Sequence, residues 1–238
     1  MADREAPPAG VPPHWEPCPG GQRAAASPEP SARPDPSPYG ADLGAAEADI
    51  WQRLLRATRD RRSPWHTPAL ATTGADGAPR ARVLVLRGVA RESRLLRLHT
   101  DVRSGKVAEL AADPRCALLF YDPGARLQLR ASGCARVERD SAAADAAWAG
   151  TRLLGRRCYL APVAPGTPAA GPVSGLPPAL EGRQPTAEES ESGRAHFAIV
   201  LVTVHRLEFL QLAFSGHRRG AFDWRDDVGA WTGHWLVP

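Results

Sequence analysis

The sequence predicts a mainly β protein with peripheral α-helices, arranged as an antiparallel barrel. Three observations lead there. About eight runs alternate or concentrate apolar residues as strands do, most are joined by short turns, and few segments have helical spacing. Strands linked by tight turns pair antiparallel, and closure into a barrel removes exposed edges.

Residues 1–40 hold 11 of the 24 prolines, set among Gly, Ser and Ala. Such a segment buries too little surface to offset its ordering entropy, so a disordered tail is expected, with the folded domain over 41–238. Ile50, Trp51, Leu54 and Leu55 recur at helical spacing behind Asp42, which predicts a capped amphipathic helix over about 43–61. Pro64 ends it. A strand over 66–73, the turn Gly74-Ala75-Asp76-Gly77 and a strand over 79–87 make a hairpin. A strand over 94–100 and a short helix over 104–112 follow. A second hairpin, 115–121 with 126–138, turns at Pro123-Gly124, and an Ala-rich helix covers 140–151. Seven prolines and an acidic, Ser-rich end mark 161–193 as a long loop or insertion. Strands return at 196–204, 207–213, 220–225 and 230–237.

The chain has 238 residues, 43% apolar and 24% charged, with a formal net charge of +4. A domain of roughly 190 residues buries most of its unfolded surface without disulfides or a structural metal. No run approaches 18 apolar residues, so no membrane span is expected. The start, MADREAPPAG, has no apolar leader core, and its acids argue against an organelle transit peptide; the expected location is the cytoplasm. Cys18, Cys116, Cys134 and Cys158 form no CxxC pair, and the histidines form no metal-binding motif. Cys116 and Cys134 read as buried free thiols. Of 30 basic residues, 29 are arginine; the single lysine is Lys106. A lysine that persists in so arginine-rich a chain points to a place where a compact charge is preferred over a planar fork.

Three segments carry chemistry. In Arg82-Val83-Leu84-Val85-Leu86-Arg87, strand alternation places Arg82 with Leu84 and Leu86, and Arg87 with Val83 and Val85. Arginines at the ends of a buried strand either meet an anion or reach out to solvent. Thr100-Asp101-Val102-Arg103-Ser104-Gly105-Lys106 joins a strand to a helix. Ser104 is a natural N-cap, and hydroxyls, free amides and cations converging at a helix start suit a phosphate. In Arg126-Leu127-Gln128-Leu129-Arg130, alternation puts Arg126, Gln128 and Arg130 on one face. That face is either solvated, or Gln128 offers a donor and an acceptor to a planar heterocycle.

The series RxVLVLR, HTDVRSGK, PRCALLFY and RLQLRASG, with LEFLQL, HRR and WLVP near the end, resembles the pyridoxamine 5'-phosphate oxidase-like FMN-binding split barrels over about 50–238. The resemblance implies an antiparallel split β-barrel, a homodimer with FMN at its interface and a small-molecule substrate. By position, Arg82, Val83, Leu84, Val85, Leu86 and Arg87 would line FMN, with Arg87 near the N1–C2 carbonyl edge. His99 and Thr100 would supply the next contact, Ser104 and Lys106 the phosphate site, and Gln128 a bond to the isoalloxazine. The oxidases have Arg-Lys where this chain has Gly105-Lys106, and Arg103 would supply the missing charge. Trp148 and Arg152 stand loosely for a substrate Tyr-x-x-x-Arg, with Arg156 at the serine that follows. His217, Arg218 and Arg219 remain of the Arg-Leu-His motif, with Arg218 the substrate candidate, and Leu210 replaces a Trp expected near the flavin.

The expectation is therefore an FMN-dependent oxidoreductase of unassigned substrate; no side chain stands out as a general base. The alternative is a non-catalytic barrel that holds a flavin or haem, for which only His99 and His217 stand near a motif. A nucleic-acid-binding barrel is disfavoured because the arginines interleave with acids and the strands lack exposed stacking aromatics.

Overall fold

The structure is a computed structural model and describes residues 37–238. The tail expected over residues 1–36 lies outside the described residues. Residues 37–40, expected to belong to it, are part of the fold. Tyr39 is 1% exposed, packs edge-on to Phe209 at 4.9 Å and donates its hydroxyl to Asp49 at 2.6 Å.

Helix α1 (Leu43–Arg59) begins where the Asp42 carboxylate accepts from the amides of Gly44 and Ala45. Ala46, Ile50, Trp51, Leu54 and Ala57 share one stripe, and all are buried. A 3-10 turn at Pro64–His66 takes up the first residue of the expected 66–73 strand, and β1 is Ala69–Thr73. The single strand expected over 79–87 is two: β2 (Pro79–Val83) and β3 (Leu86–Ala90). Next come β4 (Leu95–Asp101), α2 (Gly105–Ala112), β5 (Arg115–Asp122), β6 (Leu127–Glu138), α3 (Ala142–Ala149), α4 (Leu153–Arg156) and α5 (Ala187–Glu191). The chain closes with β7 (Phe197–Gln211), β8 (Arg218–Arg225) and β9 (Ala230–Leu236). The 161–193 segment is largely irregular and carries a 3-10 turn and α5, the latter held by a Thr186/Glu189 capping box.

The break between β2 and β3 defines the architecture. The strand order is β2-β1-β5-β6-β7-β4-β3, with β8 and β9 added beyond β7. Strands β2 and β3 are the two ends of that path, yet only Leu84 and Val85 separate them. Such a link spans roughly 10 Å at most. The sheet therefore rolls until its ends meet, and this seam is the split of an antiparallel split barrel. Strand β7 was expected as two pieces parted at His205-Arg206. It is continuous, and the interruption is a bulge: Ser132 of β6 faces Arg206, Gly133 faces Val204, and His205 is the extra residue.

Strand β7 is apolar on both faces because both are covered. Val200, Val202, Val204, Leu207 and Phe209 join the main core with Trp51, Trp65 and Phe120. Phe197, Ile199 and Leu201 face a second cluster built on Trp148 and Tyr159. Cys116 is buried, which pushes its thiol up to about 12, while Cys134 is half-buried. Among the described residues, no helix is long and apolar enough to cross a membrane.

Candidate functional site

Strand β4 and helix α2 build a polar corner. Thr100 and Ser104 are 3% and 6% exposed, and their hydroxyl oxygens lie 3.1 Å apart. Lys106 Nζ donates to both, at 3.2 and 2.8 Å. Ser104 occupies the N-cap position as expected, but its side chain does not cap; it donates to the Asp101 carbonyl at 2.7 Å. The amides at the start of α2 therefore keep no side-chain acceptor, at the positive end of the helix. Burial and the nearby Arg82 guanidinium hold the Lys106 ammonium below the usual lysine range. Among the described residues Lys106 forms no ion pair; its contacts are hydroxyls. A half-desolvated cation without a carboxylate partner favours an incoming anion.

Arg82 reaches this corner from β2. Its Nη2 donates to Glu109 Oε2 at 2.6 Å and its Nη1 to the Thr72 hydroxyl. The Thr72 hydroxyl in turn donates to Glu109 Oε2 at 2.5 Å. Burial works against the Glu109 carboxylate, but the bonds from Thr72 and Arg82 outweigh it and hold it below the usual range. Sequence reasoning missed Thr72 and Glu109. The signal for Glu109 was present: it follows Lys106 by three residues and Gly105 by four, so all share a helix face. Nothing in the strand pattern marks Thr72.

Arg103 is placed differently from the expectation. Its Nε and Nη2 donate to the Asp101 carboxylate at 3.0 and 2.7 Å, and Nη2 also to the Ala161 carbonyl at 2.9 Å. Asp101 is only 8% exposed, so the guanidinium serves to neutralise it and to tie down the 161–162 segment. It does not supply the charge missing at Gly105.

Residues 82–87 do not line one surface: across the seam, Arg82, Leu84 and Leu86 remain the more buried set and Val83 and Arg87 the exposed one, as alternation implies. Leu86 is fully buried, Leu84 and Val85 are half-buried, and Val83 is 65% exposed. Arg87 is exposed and lies near His99 and Tyr159. His99 and Thr100 point to opposite faces of β4. Thr100 enters the polar corner, whereas the His99 ring meets Phe197 edge-on at 4.8 Å, beside the second cluster. His99 Nε2 and Arg97 Nε are buried without a partner. Burial, then Arg87 and Arg97, pulls the His99 imidazole down to about 3. The unfolded chain therefore binds a proton here below pH 6.5 that the folded chain refuses, so stability falls as pH falls toward 3. Between pH 7 and 5 the parent is expected to lose about 1–2 kcal/mol more than a His99→Phe variant in urea unfolding. Equal losses would show that the folded imidazole takes up the proton.

Gln128 is half-buried on β6, opposite Tyr121 of β5 and Leu210 of β7, and Leu210 faces Arg219 of β8. Arg126 does not share its face as expected, because it sits in the hairpin turn at φ 50°. Arg130 is bound by Glu208, which also gathers Arg219, each at 2.6 Å. The three substrate candidates are not brought together by any contact. Trp148 is 4% exposed, packs on Tyr159 and Phe197 and lies under the Arg156 guanidinium at 4.7 Å. It is a core residue of the second cluster, not a ligand-facing one. Arg152 is exposed ahead of α4, and Arg218 Nη1 donates to the carbonyls of Gly216 and His217, both at 3.1 Å.

Fold and corner together define an antiparallel split barrel with a cationic, hydroxyl-rich corner beside its seam. The family described as "Pyridoxamine 5'-phosphate oxidase, FMN-binding domain" matches residues 48–139. That stretch holds every residue of the corner and Gln128, but not Trp148, Arg152 or Arg218. A pyridoxine/pyridoxamine 5'-phosphate oxidase of Pseudomonas paraeruginosa is 30% identical over 171 residues, 71% of this chain and 76% of that protein. One from Cupriavidus taiwanensis is 42% identical over 89 residues, which span 37% of this chain and only 40% of the relative. Among solved structures, a pyridoxamine 5'-phosphate oxidase-related, FMN-binding protein from Nostoc punctiforme superposes with a TM-score of 0.62 at 22% identity, covering 80% of this chain and 96% of that one. PhzG from Burkholderia lata, in complex with tetrahydrophenazine-1-carboxylic acid, gives 0.59 at 18% identity, covering 84% and 96%. The chain belongs to the pyridoxamine 5'-phosphate oxidase-like FMN-binding split-barrel family.

Proposed function

We propose that this chain binds FMN and works as an FMN-dependent oxidoreductase. The observation that carries the reading is the corner itself: Lys106 is bonded to Thr100 and Ser104 at a helix start without a side-chain cap, and Arg82 is held beside it by Glu109 of the same helix. This donor set fits a phosphate monoester. Bound FMN would supply the redox chemistry. The protein's part is to bind the phosphate at the corner, offer the Gln128 amide to the ring's polar edge and place the Arg87 charge nearby. Trp148, enclosed against Tyr159 and Phe197, is not part of the substrate surface in this reading.

A homodimer is part of this reading. Val83, Ala69 and Leu119 lie in register across β2, β1 and β5. Val83, Leu119 and the nearby Tyr121 are 65%, 42% and 49% exposed, an apolar surface suited to burial against a second copy. A cytoplasmic location fits the same proposal.

Calorimetry with FMN, FAD and riboflavin tests the assignment. FMN is expected to bind most tightly, and equal affinity for riboflavin would refute the phosphate corner. Pyridoxine and pyridoxamine phosphates are expected to be poor substrates, because the Arg-Leu-His motif is incomplete and Trp148 is enclosed. Oxygen consumption with either ester in the ordinary enzyme range of about 1–1000 per second would overturn that expectation.

A further inference from the structure

We infer that Glu109, acting with Thr72, is a positioning residue that aims Arg82 at the ligand phosphate. The inference rests on the phosphate reading of the corner and goes beyond it.

Arg82 projects from β2, an end strand of the sheet path hydrogen-bonded only to β1. A long arginine side chain in that position carries much rotamer entropy. Glu109 removes that freedom. Its Oε2 receives both the guanidinium and the Thr72 hydroxyl, and the same hydroxyl accepts from Arg82. The three groups close a triangle drawn from β1, β2 and α2. Their side chains are largely enclosed: Thr72 is 5% exposed, and the Arg82 and Glu109 side chains 23% and 16%.

The triangle is built onto the helix that offers the free amides. Glu109 Oε1 lies 3.7 Å from where a Cβ on Gly105 would stand, so the carboxylate runs along the first turn of α2. Glu109 thereby fixes the β2 guanidinium relative to the α2 amides and Lys106. It also offsets the repulsion between two like charges, since Lys106 feels Arg82 as unfavourable and Glu109 as favourable. Two of the guanidinium's nitrogens are committed to Thr72 and Glu109. Its remaining N–H donors are held in a defined direction for a second acceptor. At metal sites, altering a partner that orients a ligating group commonly costs roughly tenfold or more in affinity, and the same logic applies to a guanidinium aimed at a phosphate.

The test is flavin-fluorescence titration of the flavin-free full chain with FMN and with riboflavin, alongside thermal unfolding. Parent, Glu109→Gln and Thr72→Val are compared. Glu109→Gln keeps shape and hydrogen-bonding capacity, so it should fold; it is expected to weaken FMN roughly tenfold and leave riboflavin within about twofold. Thr72→Val should shift the FMN-to-riboflavin ratio in the same direction by less. Three results overturn the inference. Tighter FMN binding by Glu109→Gln would make the carboxylate a rival of the phosphate. An unchanged affinity ratio refutes any action through the phosphate. A parallel loss of both ligands with a lower melting temperature leaves Glu109 a purely structural role. Equal parental affinities for FMN and riboflavin would instead refute the phosphate corner itself, so the two failures are distinguishable.

Discussion

Gly133→Ala is expected to remove at least about 3 kcal/mol of stability, or to abolish soluble folding. A Cβ at residue 133 would lie 1.9 Å from the Thr203 carbonyl oxygen, 2.9 Å from its carbon and 3.0 Å from Val204 Cα. All three are backbone atoms of β7, so no side chain can swing aside. Relief requires β6 and β7 to move apart at the bulge, in the middle of the sheet. Strand β7 contributes to both hydrophobic clusters, so displacing it loosens both. Gly171 is the control: a Cβ there meets nothing within 4 Å, and Gly171→Ala should be nearly neutral. Urea unfolding of the two variants checks the pair. A Gly133→Ala protein within about 1 kcal/mol of the parent would show that the bulge relaxes cheaply.

Lys106→Ala is expected to weaken FMN binding by about tenfold to a hundredfold, since hydrogen bonds to charged groups contribute about 1.5–3 kcal/mol. Lys106 stands out from the arginines around it. Arg82 is committed to Glu109 and Arg103 to Asp101, whereas Lys106 is held by hydroxyls. Among the described residues it is the cation of the corner without a carboxylate partner. Riboflavin affinity should change little, because that ligand lacks the phosphate. Lys106→Arg keeps the charge but must fit a planar fork between Thr100 and Ser104; it is expected to bind FMN more weakly than the parent. Parental FMN affinity in Lys106→Ala would overturn the site. Parental affinity in Lys106→Arg would leave the site and remove the argument from shape.

Local chemistry made much of this molecule legible in advance. The Asp42 cap, the α1 stripe and the Asp-Gly and Pro-Gly hairpins are short-range features, and each stands where spacing and turn chemistry put it. Thr100, Ser104 and Lys106 lie within seven residues across one strand-to-helix junction, so their convergence could be anticipated from that segment alone. The family was readable on similar grounds, from the order of motifs along the chain.

Contacts between distant elements were not legible. Alternation along 79–87 predicted one strand, but the pull of two different partners, β1 and β4, splits it at the seam. The split changes the partners and not the facing: Leu86 enters the core and Val83 stays outside, as alternation alone would place them. A bulge opposite Gly133 reads, in sequence, as the end of a strand at His205-Arg206. Trp148 looked available to a ligand until α3 packed it against Tyr159 and Phe197.

By itself, then, the sequence determined the mainly β class, the Asp42-capped α1, the hairpins and the strand-to-helix corner that holds Lys106. Only the tertiary structure decided that Arg103 would turn to Asp101, that Phe197 would pack against the His99 ring, and that Thr72 and Glu109 would hold Arg82. The physical reason is range. Caps, turns and residue periodicity act over a few bonds and leave a pattern in the chain. A guanidinium chooses among carboxylates only after folding has brought them within about 3 Å and excluded the competing water.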